Sequence, residues 1–282
     1  MNICNSLKYG SQILRKNNFN SALIDSELLM GGILNQERIK FLLNLSEEIS
    51  KEDFELYQNY LERRLKKEPI EHILNKKFFW NDCFYVNNKT LIPRSDTEII
   101  VEEAIKIIKY RKNLRILDIG TGSGCIILSI LKDVNNCTGV GIDICEEALL
   151  VSKLNAKKLK ISKNRLKLIK SDVDNFNLGK YDVIVTNPPY INYVEYKNLD
   201  KGVLNFEPKK ALYGGIDGLS EIKKVIFRAS SLLKFKGKLL LEIAHNQRFN
   251  VAAILKHNGF YIEKLKKDLA NKHRCFICTK IK

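Results

Sequence analysis

One stretch decides the fold of this chain: Ile116-Leu117-Asp118-Ile119-Gly120-Thr121-Gly122-Ser123-Gly124. Its first four residues predict a short apolar strand, and a helix is expected to begin near Cys125. Glycines let the backbone turn sharply and approach a ligand closely, where any Cβ would collide. The pattern Gly-x-Gly-x-Gly alone is a weak signal, because dinucleotide-binding proteins use the related spacing Gly-x-Gly-x-x-Gly, whose third glycine would be Cys125 here.

Downstream of Thr97, helices alternate with brief apolar segments that predict strands. These segments are residues 116–119, 140–143, 166–168, 183–185 and 239–241, with a closing pair around Tyr261 and Phe276. Strands that alternate with helices indicate a mostly parallel sheet covered on both faces. We therefore expect an α/β fold, with the final strand antiparallel to the others.

The first part of the chain has a different pattern. From about Leu7 to Leu74, apolar residues recur at three- and four-residue spacing, which predicts a small helical bundle. Asp25 with Ser26, and then Ser50, are predicted helix N-caps, and the helices are expected to end near Glu68-Pro69. Aromatic and β-branched alternation after Phe78 predicts a hairpin. The predicted domains are a helical domain at 1–74, a β-hairpin linker at 75–95 and a catalytic domain at 96–282.

Two acids follow predicted strands. Asp143 lies at the tip of the second strand, about twenty residues beyond the glycine loop, where a carboxylate can accept hydrogen bonds from both ribose hydroxyls. Loop and acid together predict a nucleoside site. Asp172 and the Val173 backbone follow the third strand and are predicted to meet the adenine edge, although an acid after a strand can equally serve as a helix cap.

The most informative motif is Asn187-Pro188-Pro189-Tyr190, directly after an apolar strand. Proline could simply stop that strand, since it has no N–H for the ladder. A chemical interpretation accounts for more. The Asn187 side-chain oxygen and the Pro188 carbonyl can each accept an N–H from a planar amide or amine, which aims its nitrogen at a donor methyl group. Tyr190 can pack against the planar group and exclude water.

This chemistry needs no general base, because the methylated nitrogen is acidic enough to lose its proton to solvent. The absence of an obvious His or Cys nucleophile near the motif agrees with that. The motifs together predict an S-adenosylmethionine-dependent N-methyltransferase, with S-adenosylhomocysteine as product. Histidine and cysteine spacing indicates no metal site.

Further motifs resemble the HemK/PrmC family of peptide-chain release factor glutamine N5-methyltransferases over nearly the whole chain. They are Glu68-Pro69-Ile70 with Phe79-Trp80, Leu91-Ile92-Pro93-Arg94-Ser95-Asp96-Thr97-Glu98, and Phe206-Glu207-Pro208 followed by Ala211 through Leu219. The last cluster separates this family from nucleic-acid methylases that share Asn-Pro-Pro-Tyr. The family usually has Pro at Ser95 and Gly at Asn75 and Asn271, so loop geometry could differ there.

The resemblance implies a Rossmann-like class I methyltransferase fold with a seven-stranded, mostly parallel sheet, a small N-terminal helical domain and a β-hairpin linker. It implies that the donor contacts Gly120, Thr121, Gly122, Ser123, Gly124, Asp143, Val173 and Asn187, and that Asn187, Pro188, Pro189 and Tyr190 hold the glutamine. The implied substrates are class I release factors, methylated at the glutamine of their Gly-Gly-Gln loop. The N-terminal domain is then expected to recognise the partner. Arg94 and Glu98 either close over the donor or pair with neighbours.

Composition sets outer limits on function. The net charge of +16 suits either a nucleic-acid partner or ordinary solvated surface charge. The seven cysteines suggest free thiols, with Cys275 and Cys278 buried in a closing strand. Neither a signal peptide nor a membrane-spanning run is evident, so we expect a cytoplasmic protein without a membrane or stable nucleic-acid partner. Two alternatives remain open: an adenine-N6 methyltransferase acting on DNA or RNA, and a non-catalytic ribosome-binding module.

Overall fold

In the computed structural model, which describes residues 1–282, the chain divides into two units. Unit 1 contains residues 1–75 and 200–206, and unit 2 contains residues 76–199 and 207–282. Residues 200–206, expected in the catalytic domain, therefore belong to unit 1. Almost all of the expected linker, residues 75–95, belongs to unit 2, and its role as a linker stays a prediction.

Unit 1 is built from amphipathic helices around one apolar core. Its N-terminal helices are α1 (Ile3–Lys16), α2 (Ala22–Leu34), α3 (Arg38–Leu42), α4 (Lys51–Leu65) and α5 (Ile70–Leu74). Leu14, Leu29, Met30, Phe41 and Tyr57 are fully buried at the centre. In α1, the buried residues Ile3, Leu7, Gly10 and Leu14 recur at three- and four-residue intervals, which gives that helix one buried face.

Ser50 caps α4 as predicted, because its side chain accepts a hydrogen bond from the Asp53 N–H at 3.0 Å. The predicted cap at Asp25 and Ser26 is wrong, since α2 begins at Ala22. Asp25 is instead buried inside the helix, where Arg64 Nε donates to its Oδ2 at 2.8 Å. The predicted end of the helices is also wrong, because Pro69 starts the additional short helix α5.

Gly10 allows α1, α2 and α4 to pack closely. A Cβ at this position would lie 2.0 Å from Tyr57 Oη, while the Tyr57 hydroxyl lies 2.5 Å from Ser26 Oγ.

We expect Gly10→Ala to destabilise the protein by about 1–3 kcal/mol, because buried Tyr57 must move to admit the methyl group. Urea unfolding measures this loss. An unchanged transition midpoint would show that the three-helix contact has room to adjust.

Unit 2 begins with an antiparallel hairpin of β1 (Lys77–Phe79) and β2 (Asp82–Phe84). A seven-stranded sheet follows, in the spatial order β5-β4-β3-β6-β7-β9-β8. All neighbouring pairs from β5 to β7 are parallel, whereas β9 is antiparallel to both β7 and β8. The strands are β3 (Leu114–Ile119), β4 (Cys137–Asp143), β5 (Leu166–Lys170), β6 (Tyr181–Thr186), β7 (Leu233–Glu242), β8 (Phe260–Lys267) and β9 (His273–Lys280). The predicted class I methyltransferase fold is confirmed.

Successive strand residues face opposite sides of the sheet and enter two separate cores. Leu117 and Ile184 belong to one core, and Ile116 and Val183 to the other. The remaining helices are α6 (Glu98–Ile108), α7 (Cys125–Asp133), α8 (Glu146–Lys158), α9 (Tyr193–Lys197), α10 (Lys201–Phe206, in unit 1), α11 (Lys209–Leu212), α12 (Ser220–Leu232) and α13 (Arg248–His257). Ile119 is paired with both Ile142 and Thr186, so the carboxyl ends of β3, β4 and β6 meet at one edge.

The departures from the family pattern are accommodated locally. Asn75 and Asn271 adopt the left-handed conformation, with φ of 51° and 61°, which asparagine tolerates better than most non-glycine residues. Ser95 starts a short 3₁₀ turn that ends at Thr97. Each residue therefore fits a turn at its position in the chain.

The cysteines of β9 are buried thiols. Cys275 and Cys278 are completely buried and unpaired, and burial raises the pKa of Cys278 to about 12. No group of three or more His, Cys, Asp or Glu side chains is arranged to hold a metal ion. None of the helices combines the length and the apolar character needed to cross a membrane.

Candidate functional site

A cleft of about 320 Å³ opens in unit 2 at the carboxyl ends of β3, β4 and β6. Most of the residues predicted for the site line it, although they come from four separate stretches of sequence. Gly124 and Tyr190 lie outside the lining. The predicted residues that do line the cleft are Gly120, Thr121, Gly122, Ser123, Asp143, Asp172, Val173, Asn187, Pro188 and Pro189.

The glycine loop turns through left-handed backbone, with φ of 73° at Gly120, 54° at Gly122 and 81° at Gly124. The Gly120 and Thr121 N–H groups both donate to the Ile142 carbonyl at 2.9 Å, which anchors the loop to β4. A Cβ at Gly120 would meet no atom within 4 Å, whereas one at Gly124 would lie 2.4 Å from Ser152 Oγ. Gly120 therefore leaves space for a ligand, and Gly124 allows the loop to pack on α8.

Asp118 holds the loop from below. Its side chain is completely buried, and Thr121 Oγ1 donates to its Oδ2 at 2.7 Å. Burial raises the pKa of Asp118 to about 7. This residue lies beneath the cleft surface and was not predicted as part of the site.

Asp143 ends β4 and is held by backbone N–H groups on both oxygens. Gly122 donates to Oδ2 at 2.8 Å and Cys145 donates to Oδ1 at 2.9 Å. Burial raises the pKa of this carboxyl group, and the two hydrogen bonds oppose that rise. Each carboxylate oxygen has a second acceptor position. Asp143 can thus fix the loop and still accept hydrogen bonds from a ligand's hydroxyl groups.

Asp172 acts as a cap, which was the alternative interpretation of its position. Its Oδ1 accepts from the Asp174 N–H at 3.1 Å and starts the 3₁₀ turn Val173–Asn175. Asp172 and Val173 both line the cleft. Their contact with an adenine ring stays a prediction.

The backbone of residues 187–190 is supported from behind by two other segments. Gln247 Nε2 donates to the carbonyls of Tyr190 and Gly218, each at 3.0 Å. A Cβ at Gly214 would lie 2.6 Å from the Pro189 carbonyl oxygen. Residues 211–219 of the family-like cluster therefore pack directly against the Asn-Pro-Pro-Tyr motif, and their glycines allow the close approach.

Two hydrogen bonds fix the polar side chains of that motif. Asn187 Nδ2 donates to Thr97 Oγ1 at 3.0 Å, and no residue of the chain donates to its Oδ1. Tyr190 donates from its hydroxyl to Glu242 Oε1 at 3.3 Å, and burial holds the pKa of that tyrosine above its usual range. The Asn187 amide is thus bound through its nitrogen and presents its oxygen as an acceptor. The Tyr190 hydroxyl stays neutral.

Arg94 and Glu98 both pair with neighbours, but they differ in position. Arg94 donates to Glu207 Oε1 at 2.5 Å and lines the cleft. Glu207 is buried and also accepts from the Ile92 N–H at 3.0 Å. Glu98 accepts from the Trp80 N–H at 2.8 Å and is absent from the cleft lining. Only Arg94 is placed where it could contact a ligand.

Sequence reasoning missed Thr97, Asn155, Gln247 and Glu242. Asn155 is buried on α8, where it accepts from the Tyr85 N–H at 2.7 Å and donates to the Ser123 carbonyl at 2.9 Å. A polar residue on the apolar face of a helix was the available signal. For Glu242 the signal was an acid directly after an apolar strand, the same pattern that identified Asp143.

The family models match both parts of the chain. Residues 5–74 match the PrmC N-terminal domain, and residues 110–280 match a methyltransferase domain. Two structures with a similar fold are a ribosomal protein L11 methylase from Lactobacillus delbrueckii subsp. bulgaricus and a methyltransferase from Pyrococcus furiosus. The first has a TM-score of 0.50 and 19% identity over 67% of this chain and 81% of that chain. The second has a TM-score of 0.52 and 18% identity over 71% of this chain and 89% of that chain. At these identities the likeness concerns the fold alone.

Similarity over the full length comes from curated relatives. A bifunctional methyltransferase of Rickettsia felis is 33% identical over 98% of this chain, which spans only 57% of that longer protein. The release factor glutamine methyltransferase of Buchnera aphidicola subsp. Baizongia pistaciae is 35% identical over 99% of this chain and 100% of its own length. The resemblance found in the sequence motifs is confirmed, and the chain belongs to the release factor glutamine methyltransferase family.

Proposed function

We propose that this protein transfers a methyl group from S-adenosylmethionine to the side-chain amide nitrogen of the glutamine in the Gly-Gly-Gln motif of class I release factors, and so modulates translation termination. One observation carries the proposal. The Asn187 amide is bound at its nitrogen end by Thr97, which leaves Oδ1 as an acceptor in the cleft that also contains the glycine loop and Asp143.

The residues of the cleft fit the donor. Open space above Gly120 admits a ligand close to the backbone, and Asp143 keeps acceptor positions for ribose hydroxyls. Val173 is an apolar residue in the wall of the cleft, suited to contact with an adenine ring. When bound, S-adenosylmethionine supplies an electrophilic methyl group on a sulfonium.

The motif residues orient the acceptor. Asn187 Oδ1 and the Pro188 carbonyl each accept one N–H of a glutamine amide, so that its nitrogen faces the methyl group. The N–C bond forms as the S–C bond breaks, and the nitrogen then loses one proton to solvent. The buried carboxyl of Glu242 does not line the cleft, so it takes no proton from the substrate.

The partner follows from family membership and from charge. Lys89, Arg94, Lys209 and Lys210 line the cleft, against Asp143, Asp172 and Glu221, so its net charge is slightly positive. An extended loop that carries a glutamine between glycines could enter such a cleft, since glycines add no side-chain bulk. We assign recognition of the larger partner to unit 1, which includes the match to the PrmC N-terminal domain. A release factor substrate supports a cytoplasmic location for this protein.

The decisive experiment measures transfer of tritium from labelled S-adenosylmethionine. The acceptors are a purified release factor, the same factor with the Gly-Gly-Gln glutamine changed to alanine, and DNA and RNA oligonucleotides. We expect label only in the unmodified factor. Label in an oligonucleotide instead would support an adenine methyltransferase. Donor binding by calorimetry without transfer to any acceptor would support the non-catalytic alternative.

We expect Asn187→Ala to lower kcat for the release factor by about a hundredfold or more, because the acceptor loses the group that orients it. The matched control is Asn258→Ala, which removes a side chain that donates to the Ile254 carbonyl at the end of α13, away from the cleft. Steady-state kinetics with folded variants measures the effect. Equal kcat for the two variants would remove Asn187 from the proposed role.

We expect Gly120→Ala to weaken S-adenosylmethionine binding by at least about tenfold, because the added methyl group would occupy ligand space. Gly179→Ala is the control, since Gly179 has a similar φ of 83° and lies outside the cleft. Both variants carry the backbone strain of a left-handed alanine, about 1–2 kcal/mol. Calorimetry compares their affinities. Similar dissociation constants would show that the donor does not approach Gly120.

A further inference from the structure

The orientation of the Asn187 amide depends on a residue ninety positions earlier in the chain. Thr97 ends the 3₁₀ turn before α6, and only 2% of its surface is exposed. Its Oγ1 accepts the Asn187 Nδ2 hydrogen at 3.0 Å. A hydroxyl group can also donate, so a threonine alone would not decide which end of the amide faces it.

Glu242 is the neighbouring group that can decide which end of the Asn187 amide faces Thr97. It ends β7 with 1% of its surface exposed, and its Oε1 accepts from the Tyr190 hydroxyl at 3.3 Å. Its Oε2 is buried and has no hydrogen-bond partner. Burial raises the pKa of Glu242 to about 7, and the nearby Thr97 hydroxyl lowers it. The Thr97 hydroxyl accepts from Asn187, so its own hydrogen is available for the unpaired Oε2.

The position of Glu242 is itself fixed. Glu242 is paired across the sheet with Cys275, next to Arg274. The Arg274 guanidinium donates to Asp268 at 2.9 Å and contacts Asp96 at 3.2 Å, and its positive charge also lowers the pKa of Glu242. Since Asp96 precedes Thr97, the same arginine holds the turn that carries the threonine.

We propose that Thr97 and Glu242 are positioning residues that set the polarity of the substrate-binding amide. Where Glu242 is ionised, its carboxyl group only accepts hydrogen bonds, so the Thr97 hydroxyl donates to it and accepts from Asn187. Asn187 then presents Oδ1 to the cleft. The reverse arrangement would present Nδ2, whose hydrogens repel those of an amide substrate. Through Tyr190, the same carboxyl group also orients the aromatic ring of the motif. This inference rests on the proposed function.

The test compares Thr97→Val, which keeps the shape and removes the hydroxyl, with Thr97→Ser, which keeps the hydroxyl. Thr279→Val is the matched control, because Thr279 also bonds to a glutamate, Glu263, but lies on β9 outside the cleft. Glu242→Gln is a second, independent variant that can donate as well as accept. For each folded protein we would measure kcat and KM on the release factor, S-adenosylmethionine affinity, thermal unfolding, and hydrogen exchange of the Asn187 side-chain NH₂ by NMR.

We expect Thr97→Val and Glu242→Gln to lower kcat by about ten- to a hundredfold, because the acceptor amide is misoriented. S-adenosylmethionine affinity should stay within about twofold. Exchange of the Asn187 NH₂ should accelerate in Thr97→Val, while Thr97→Ser and Thr279→Val should match the wild type. If Thr97→Val does not fold, Glu242→Gln and Thr97→Ser carry the test.

Two results would overturn the inference. One is that Thr97→Val keeps a wild-type kcat and slow exchange of the Asn187 NH₂. If Thr97→Val does not fold, the corresponding result is a wild-type kcat in Glu242→Gln. The other is a kcat in Thr97→Ser as low as in Thr97→Val, which would indicate packing in place of hydrogen bonding. Failure of the proposed function is distinguishable from both, because the wild-type protein would then not methylate the release factor. The NH₂ exchange still reports on the amide in that case.

Discussion

The site depends on one constraint. The segment that follows β6 contains two residues without a backbone N–H donor. Pro188 and Pro189 have no N–H, so this segment cannot continue a ladder. Buried backbone must still be paired, and Gln247 supplies the partner for the Tyr190 carbonyl. The Pro188 carbonyl receives no hydrogen bond from another residue. The prolines therefore create both the need for support from behind and the unpaired acceptor at the front.

Three acids at the same edge of the sheet show how burial assigns different roles to one residue type. Asp143 meets the loop N–H groups and keeps acceptor positions at the cleft. Asp172 is turned to its own chain as a cap. Glu242 lies beneath the surface, where its Oε1 accepts from the Tyr190 hydroxyl and its Oε2 has no hydrogen-bond partner. Asp143 and Glu242 end strands and Asp172 follows one, so position along the chain alone does not separate ligand contact, capping and support.

The sequence could predict features that depend on local patterns but not those that depend on distant partners. The glycine loop, Asp143 and the Asn-Pro-Pro-Tyr motif are local patterns, and alternation of strands with helices determined the fold class. Thr97 meets Asn187 across 90 residues, and Tyr190 meets Glu242 across 52. The start of α2 was missed for a similar reason, because Asp25 is bound by Arg64 39 residues away. A local pattern carries no information on such partners, and a polar residue near a strand end or helix start has several possible uses.

A buried carboxyl group is costly to desolvate, and a neutral side chain of similar shape would avoid that cost. An amide or alcohol beneath Thr97 would, however, permit two hydrogen-bond patterns, with opposite ends of Asn187 facing the cleft. A carboxylate permits one, because it has no hydrogen to donate. Arg274 contributes the positive charge that keeps Glu242 ionisable in this environment. On the role proposed for Thr97, the cost of burying Glu242 is linked to the direction of hydrogen bonding at the Asn187 amide, a requirement that neither packing nor sheet formation imposes.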